Sequence, residues 1–144
     1  MEAKLYSEIL AEFDIAPTRA DKIAVLRKND HPRFRSFLAI VYNPDFKFDV
    51  EIPSYRPAIE PAGLNYTYLD IEVPKLYRFI PGHPKLEGAV LDAKRKKSLL
   101  TTTLESLHKD EAELLVKAIT KKDLDVKYLT PRIIKEAYPD INIP

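Results

Sequence analysis

The chain has no cysteine and no tryptophan, one methionine and only three glycines among its 144 residues. Without cysteine it forms neither a disulfide nor a thiolate metal site, and this fits a reducing compartment. The glycines, Gly63, Gly82 and Gly88, make no Gly-rich loop, so cradling of a nucleotide phosphate by backbone amides has no support. No apolar run approaches the roughly 20 residues that span a bilayer. The start, Met1-Glu2-Ala3-Lys4, has neither the basic nor the apolar region of a secretory leader. The expectation is a soluble, untargeted, cytoplasmic protein. Excess charge is missing too. The formal net charge is +1, with 11 Lys/Arg against 9 Asp/Glu in residues 91–144 and 12 against 13 in the rest. Attraction of the whole molecule to a polyanion is therefore weak, and any basic face must come from clustering in three dimensions.

What is present is enough apolar chain, 45% of residues, for one domain over 1–144 that buries most of its surface without staples. Twelve prolines punctuate it. Leu5, Ile9, Leu10 and Phe13 have helical spacing over about residues 3–13, and Pro17 forbids continuation. Thr18 is placed as an N-cap with Asp21 in the first turn of a helix to about Asn29. Pro32 opens a third helix, with Phe34, Phe37, Leu38, Val41 and Tyr42 on its apolar face, which ends at Asn43-Pro44. Residues 45–73 lack helical periodicity; Phe46 to Ile52 alternates apolar and polar as a strand or extended arm does, and the aromatics Phe46, Phe48, Tyr55, Tyr66 and Tyr68 argue for an ordered excursion. A short helix over Pro74–Phe79 is stopped by Pro81-Gly82. A further helix spans Arg95–Leu107, with a turn ahead of it. Asp110 and Glu113 have capping-box spacing at the start of a helix to about Thr120. Thr130-Pro131, an N-cap followed by a first-turn proline, opens the last helix, to Ala137. The fold class is all-α, a compact bundle of five to seven helices with a proline-rich extended excursion in the middle.

Three segments carry a family resemblance. The last runs from Asp110-Glu111-Ala112-Glu113-Leu114-Leu115 through Lys122-Asp123-Leu124-Asp125-Val126 to Ile133-Ile134-Lys135-Glu136-Ala137-Tyr138-Pro139, closing on Pro144. The first is Ile9-Leu10-Ala11-Glu12 followed by Thr18-Arg19-Ala20-Asp21-Lys22-Ile23 through Asn29, and the second is Phe37 through Pro44. In this order and spacing they resemble the N-terminal DNA-binding domain of ATP-dependent DNA ligases of the tailed-phage type. Residues 53–93 carry little of it. The resemblance implies an all-α domain that lies against the minor groove of duplex DNA. Because ligases continue past this point into a nucleotidyltransferase domain, it also implies a stand-alone, non-catalytic accessory protein, phage-encoded and acting in the infected cell in replication, repair or transcription. The partner so implied is duplex DNA. The second reading is an interaction module that contacts a replication or transcription protein, or a virion component.

For ligase chemistry a lysine nucleophile in K-x-D-G is needed. Lys121-Lys122-Asp123-Leu124 matches part of that motif without its glycine, and by the resemblance falls on the R-D-L turn between the last two helices. His31, His83 and His108 have no metal-ligand spacing. No catalytic residue, metal or cofactor is expected. The densest charge run, Lys94-Arg95-Lys96-Lys97, reads either as a solvated helix start or as a phosphate clamp. By resemblance, the turn from Asp125 to Thr130 and the start of the last helix face DNA, so the nucleic-acid candidates are Lys94, Arg95, Lys96, Lys97, Lys121, Lys122, Lys127, Tyr128, Thr130, Arg132 and Lys135. Here Lys127 and Tyr128 stand where the family has glycine and small residues; Lys127 could add a phosphate contact while Tyr128 blocks close backbone approach. Tyr77-Arg78-Phe79 and Tyr55-Arg56 have the local character of base-stacking pairs, though such aromatics are more often core.

Overall fold

A computed structural model describes residues 4–144. Seven α-helices build it: α1 (Tyr6–Ile15), α2 (Arg19–Lys28), α3 (Pro32–Tyr42), α4 (Leu69–Glu72), α5 (Ala93–Ser106), α6 (Lys109–Lys121) and α7 (Pro131–Ala137). The 3-10 turns Val73–Phe79 and Pro84–Leu86 lie between α4 and α5. Among the described residues there is no strand. The architecture is an all-α bundle, and no helix is long and apolar enough to cross a membrane. The expected start of the first helix at residue 3 lies outside the described residues.

The helix ends follow from local chemistry. Thr18 Oγ1 accepts the Asp21 amide at 3.1 Å and Thr130 Oγ1 the Ile133 amide at 3.4 Å, while Pro32 and Pro131 occupy first helical positions where no amide hydrogen is needed. The sixth helix starts differently from the sequence expectation. Its cap is His108, not Asp110, and Glu113 closes no capping box, because the imidazole Nδ1 reaches the amide two residues on (Asp110 N, 3.1 Å) with buried Leu107 fixing the chain's entry. All three histidines work this way. His31 Nδ1 takes the Arg33 amide at 3.2 Å and His83 Nδ1 the Lys85 amide at 3.1 Å.

One core joins all seven helices, from Phe13 of α1 and Leu26 of α2 through Phe34 and Phe37 of α3 to Leu104, Leu115 and Ile134. The Tyr6 ring meets those of Phe34 and Phe37 at 5.0 and 5.3 Å. The excursion is irregular from residue 43 to 68. Its alternation is real: Phe48, Val50 and Ile52 lean on the core while Lys47, Asp49 and Glu51 face water. The segment pairs with no strand, and its backbone ties to the rest of the bundle are Asp49 N to Phe79 O at 2.8 Å and, near its end, Thr67 N to Ser106 O at 3.2 Å. An extended segment with period 2 thus lies on helices as an arm, not in a sheet.

Buried charges hold helix ends. Glu111 of α6 is fully buried; Oε2 accepts the Tyr6 amide at 2.8 Å and Oε1 the Leu69 amide at 2.9 Å, the first amides of α1 and α4. Burial pushes its carboxyl up from the usual range, against the two amide bonds that favour the anion. The converse device closes C-terminal ends. Lys22 Nζ donates to Phe13 O (2.9 Å) and Asp14 O (3.2 Å) at the end of α1. Lys122 Nζ donates to Asn43 O (3.1 Å), Ile40 O and Phe46 O at the end of α3. Carbonyls left without helical partners receive cations in both places.

Candidate nucleic-acid interface

The helix α7 is placed by its neighbour α2. Ile133, Ile134 and Ala137 are buried, and fully buried Tyr138 donates its hydroxyl to Leu26 O of α2. Arg132 and Lys135 therefore point outward, with Lys127 exposed on the preceding turn. Among the described residues none of these three has a carboxylate within ion-pair distance. Residues 126–137 contain one acid, Glu136, and its carboxylate pairs with Arg19 of α2. Arg27, two turns along α2, donates to the Glu136 carbonyl at 3.2 Å. Packing of α2 on α7 thus groups Arg19, Arg27, Arg132 and Lys135 around a single neutralised acid. Arg19 and Arg27 were absent from the sequence candidates: their place beside α7 is a tertiary fact with no local signal.

The remaining candidates divide. Lys94 and Arg95 are exposed at the start of α5. Lys96 is buried and pairs with Asp49 at 3.4 Å, and Lys97 meets Glu51 at 3.6 Å. The densest charge run is half neutralised by the arm. Lys121 pairs with Asp125 at 3.2 Å. The three hydrogen bonds of the Lys122 ammonium go to the carbonyls already named, it lies 5.7 Å from the Phe48 ring centroid, and burial lowers its pKa; it serves the α3 end and offers nothing outward. The arm also brings two of the candidate lysines, Lys122 and Lys96, near one another. Phe46 O receives Lys122 and Asp49 receives Lys96, and three extended residues span at most about 11 Å.

Thr130 is engaged by its own helix, its hydroxyl on the Ile133 amide, and Pro131 has no amide hydrogen. Of the first-turn amides only that of Arg132 remains, so side chains and not the helix end must meet a phosphate here. Tyr128 is 61% exposed with φ +69°, and its ring has the Lys127 ammonium 5.1 Å and the Lys22 ammonium 5.6 Å from its centroid. The other stacking candidates are occupied. Phe79 is fully buried, Tyr77 lies against the His83 ring at 5.7 Å, and Tyr55 packs on the core.

Nearby, a concavity of about 420 Å³ between α1, α6 and residues 124–127 is lined by Asp14, Asp110, Glu113 and Asp125 as well as Lys117 and Lys127. Its mixed charge makes it a poor phosphate site and marks the edge of the basic surface. Most buried polar side chains have a structural partner: Lys22 and Glu111 at helix ends, Lys96 on Asp49, Glu72 on Thr67 at 2.8 Å, Asn43 on the Asn142 carbonyl at 2.9 Å, and Thr103 on Leu99 O at 3.0 Å, whereas the buried amide Oδ1 and Nδ2 of Asn65 have none.

Comparison with curated proteins and with solved structures finds no match. A family model does match over residues 9–125, from within α1 through the turn after α6. The chain belongs to DUF6433, a family of unknown function.

Proposed function

We propose that this chain is a non-catalytic DNA-binding protein of the ligase N-terminal type, which holds duplex DNA by its phosphates as an accessory factor in phage replication, repair or transcription. One observation carries the reading: among the described residues the outward cations of α7 and its turn, Lys127, Arg132 and Lys135, have no carboxylate within ion-pair distance, and Arg27, beside Arg19 with its Glu136 partner, extends the same surface. Unpaired cations on a rigid surface are what counterion release from a polyanion requires.

The test is binding to a duplex across a salt series. Changing Arg132 and Lys135 to Ala is expected to weaken binding alike for unrelated sequences and to reduce the salt slope by about one per lost phosphate contact. Binding unmoved by both changes sinks this surface. No binding at low salt sinks the DNA reading and leaves the interaction-module alternative, for which exposed Ile15 and Tyr128 at the end of α1 are the first surface to probe.

A further inference from the structure

We infer that Tyr128 is a stacking platform for an unpaired base, so that the domain prefers duplex DNA adjoining a single-stranded segment over a continuous duplex; the inference rests on the DNA-binding reading. Neither turn geometry nor the core explains a tyrosine at this position. With φ +69° the backbone lies in the left-handed region, where a bulky L-residue is disfavoured and glycine is at ease. With the residue 61% exposed, the side chain contributes little burial in return. A disfavoured conformation kept at an exposed aromatic is the pattern of a group retained for contact with something outside the fold.

Its surroundings name the chemistry of that contact. The Lys22 ammonium, 5.6 Å from the ring centroid, is fixed by Phe13 O and Asp14 O and so does not depend on the ring for its hydrogen bonds. The Lys127 ammonium, 5.1 Å from the centroid, is on an exposed residue with no acid partner and is free to follow a phosphate. Ile15, 80% exposed, comes directly after Asp14, whose carbonyl holds Lys22, and so adds apolar surface at the same end of α1. An exposed ring with a mobile cation beside it and apolar surface nearby takes the face of a nucleobase and the phosphate attached to it, without regard to sequence. Inside a continuous duplex each base face is covered by its neighbours. A base free to leave the stack and lie against the ring exists where one strand runs on unpaired past the end of its partner.

The experiment compares a blunt duplex with the same duplex carrying a short single-stranded tail at low salt, for the wild type and two variants. The wild type is expected to bind the tailed duplex about tenfold more tightly, the ordinary worth of one aromatic–base stack. Tyr128→Gly should abolish the difference between the tailed and the blunt duplex and raise the thermal midpoint, since the backbone strain goes with the side chain. Tyr128→Phe should keep the preference. Equal binding of the two DNAs by the wild type overturns the inference, as does a preference that survives Tyr128→Gly or is lost in Tyr128→Phe, and none of these touches the DNA reading as long as blunt binding remains. Absence of binding to either DNA overturns both.

Discussion

Tyr138 is the joint between α7 and α2, and changing it separates two contributions that the structure superimposes. Its ring is fully buried, its hydroxyl donates to Leu26 O near the end of α2, and the Arg35 guanidinium lies 4.6 Å from the ring centroid. Burial raises its pKa, so the phenol stays a donor throughout the accessible range. Tyr138→Phe keeps the ring and the cation contact and removes one oxygen, leaving the Leu26 carbonyl buried without that partner. An orphaned buried acceptor costs about 1–3 kcal/mol, so about 2 kcal/mol is expected. Tyr138→Ala loses the ring as well, for about 3–5 kcal/mol. Against a total stability of about 5–15 kcal/mol, the first variant stays folded and the second approaches the threshold. At this chain length 1 kcal/mol moves the midpoint by roughly 3–4 °C, so the Phe variant should melt about 7 °C lower. Urea unfolding followed by far-ultraviolet circular dichroism measures both, with an unchanged slope on denaturant showing that only stability moved. A Phe variant within about 0.5 kcal/mol of wild type, the ordinary scatter of a surface change, would refute the bond. If the bond is real, that variant should still bind duplex DNA as the wild type does, since no cation has moved.

Further outcomes follow from the same structure. Glu111→Ala should destabilise by about 2–5 kcal/mol, because the Tyr6 and Leu69 amides lose a shared acceptor, partly offset by relief of a buried charge; an unchanged urea midpoint would show that the double cap contributes nothing. His83 has its pKa lowered by burial and by Lys85, so the folded state holds its proton less well than the unfolded. The associated stability is present above the usual histidine pKa and is lost as pH falls through the lower folded value. His83→Asn keeps a capping side chain and should flatten that part of the stability profile as pH falls below neutral, which parallel urea titrations would reveal. Incubation with labelled ATP and magnesium should leave no label on denatured protein; label retained at Lys121 or Lys122 would make the chain a nucleotidyltransferase.

Much of the fold can be read locally. Thr18, Pro32 and Thr130-Pro131 mark the starts of α2, α3 and α7, and Pro17 and Pro44 follow helix ends, because capping and proline geometry are properties of a few adjacent residues. Histidine caps escaped because a histidine is not an expected capping residue, and α4 because four residues cannot show a period. The interface was harder. That Lys96 and Lys122 are inward groups depends on Asp49 and on the carbonyls at the end of α3, 47 and up to 82 residues away. A charge run in sequence shows neither which charges are already answered nor that Arg19 and Arg27 stand beside α7.

The Glu111 carboxylate also constrains the order in which the molecule can be made. A ribosome releases α1 first, yet the acceptor for its first amide lies 105 residues later in the chain. Until α6 has emerged, neither α1 nor α4 has its buried cap, and the apolar faces of both wait for partners not yet synthesised. Closure around this carboxylate is therefore a late event, which fixes the start of the polypeptide and its middle at once.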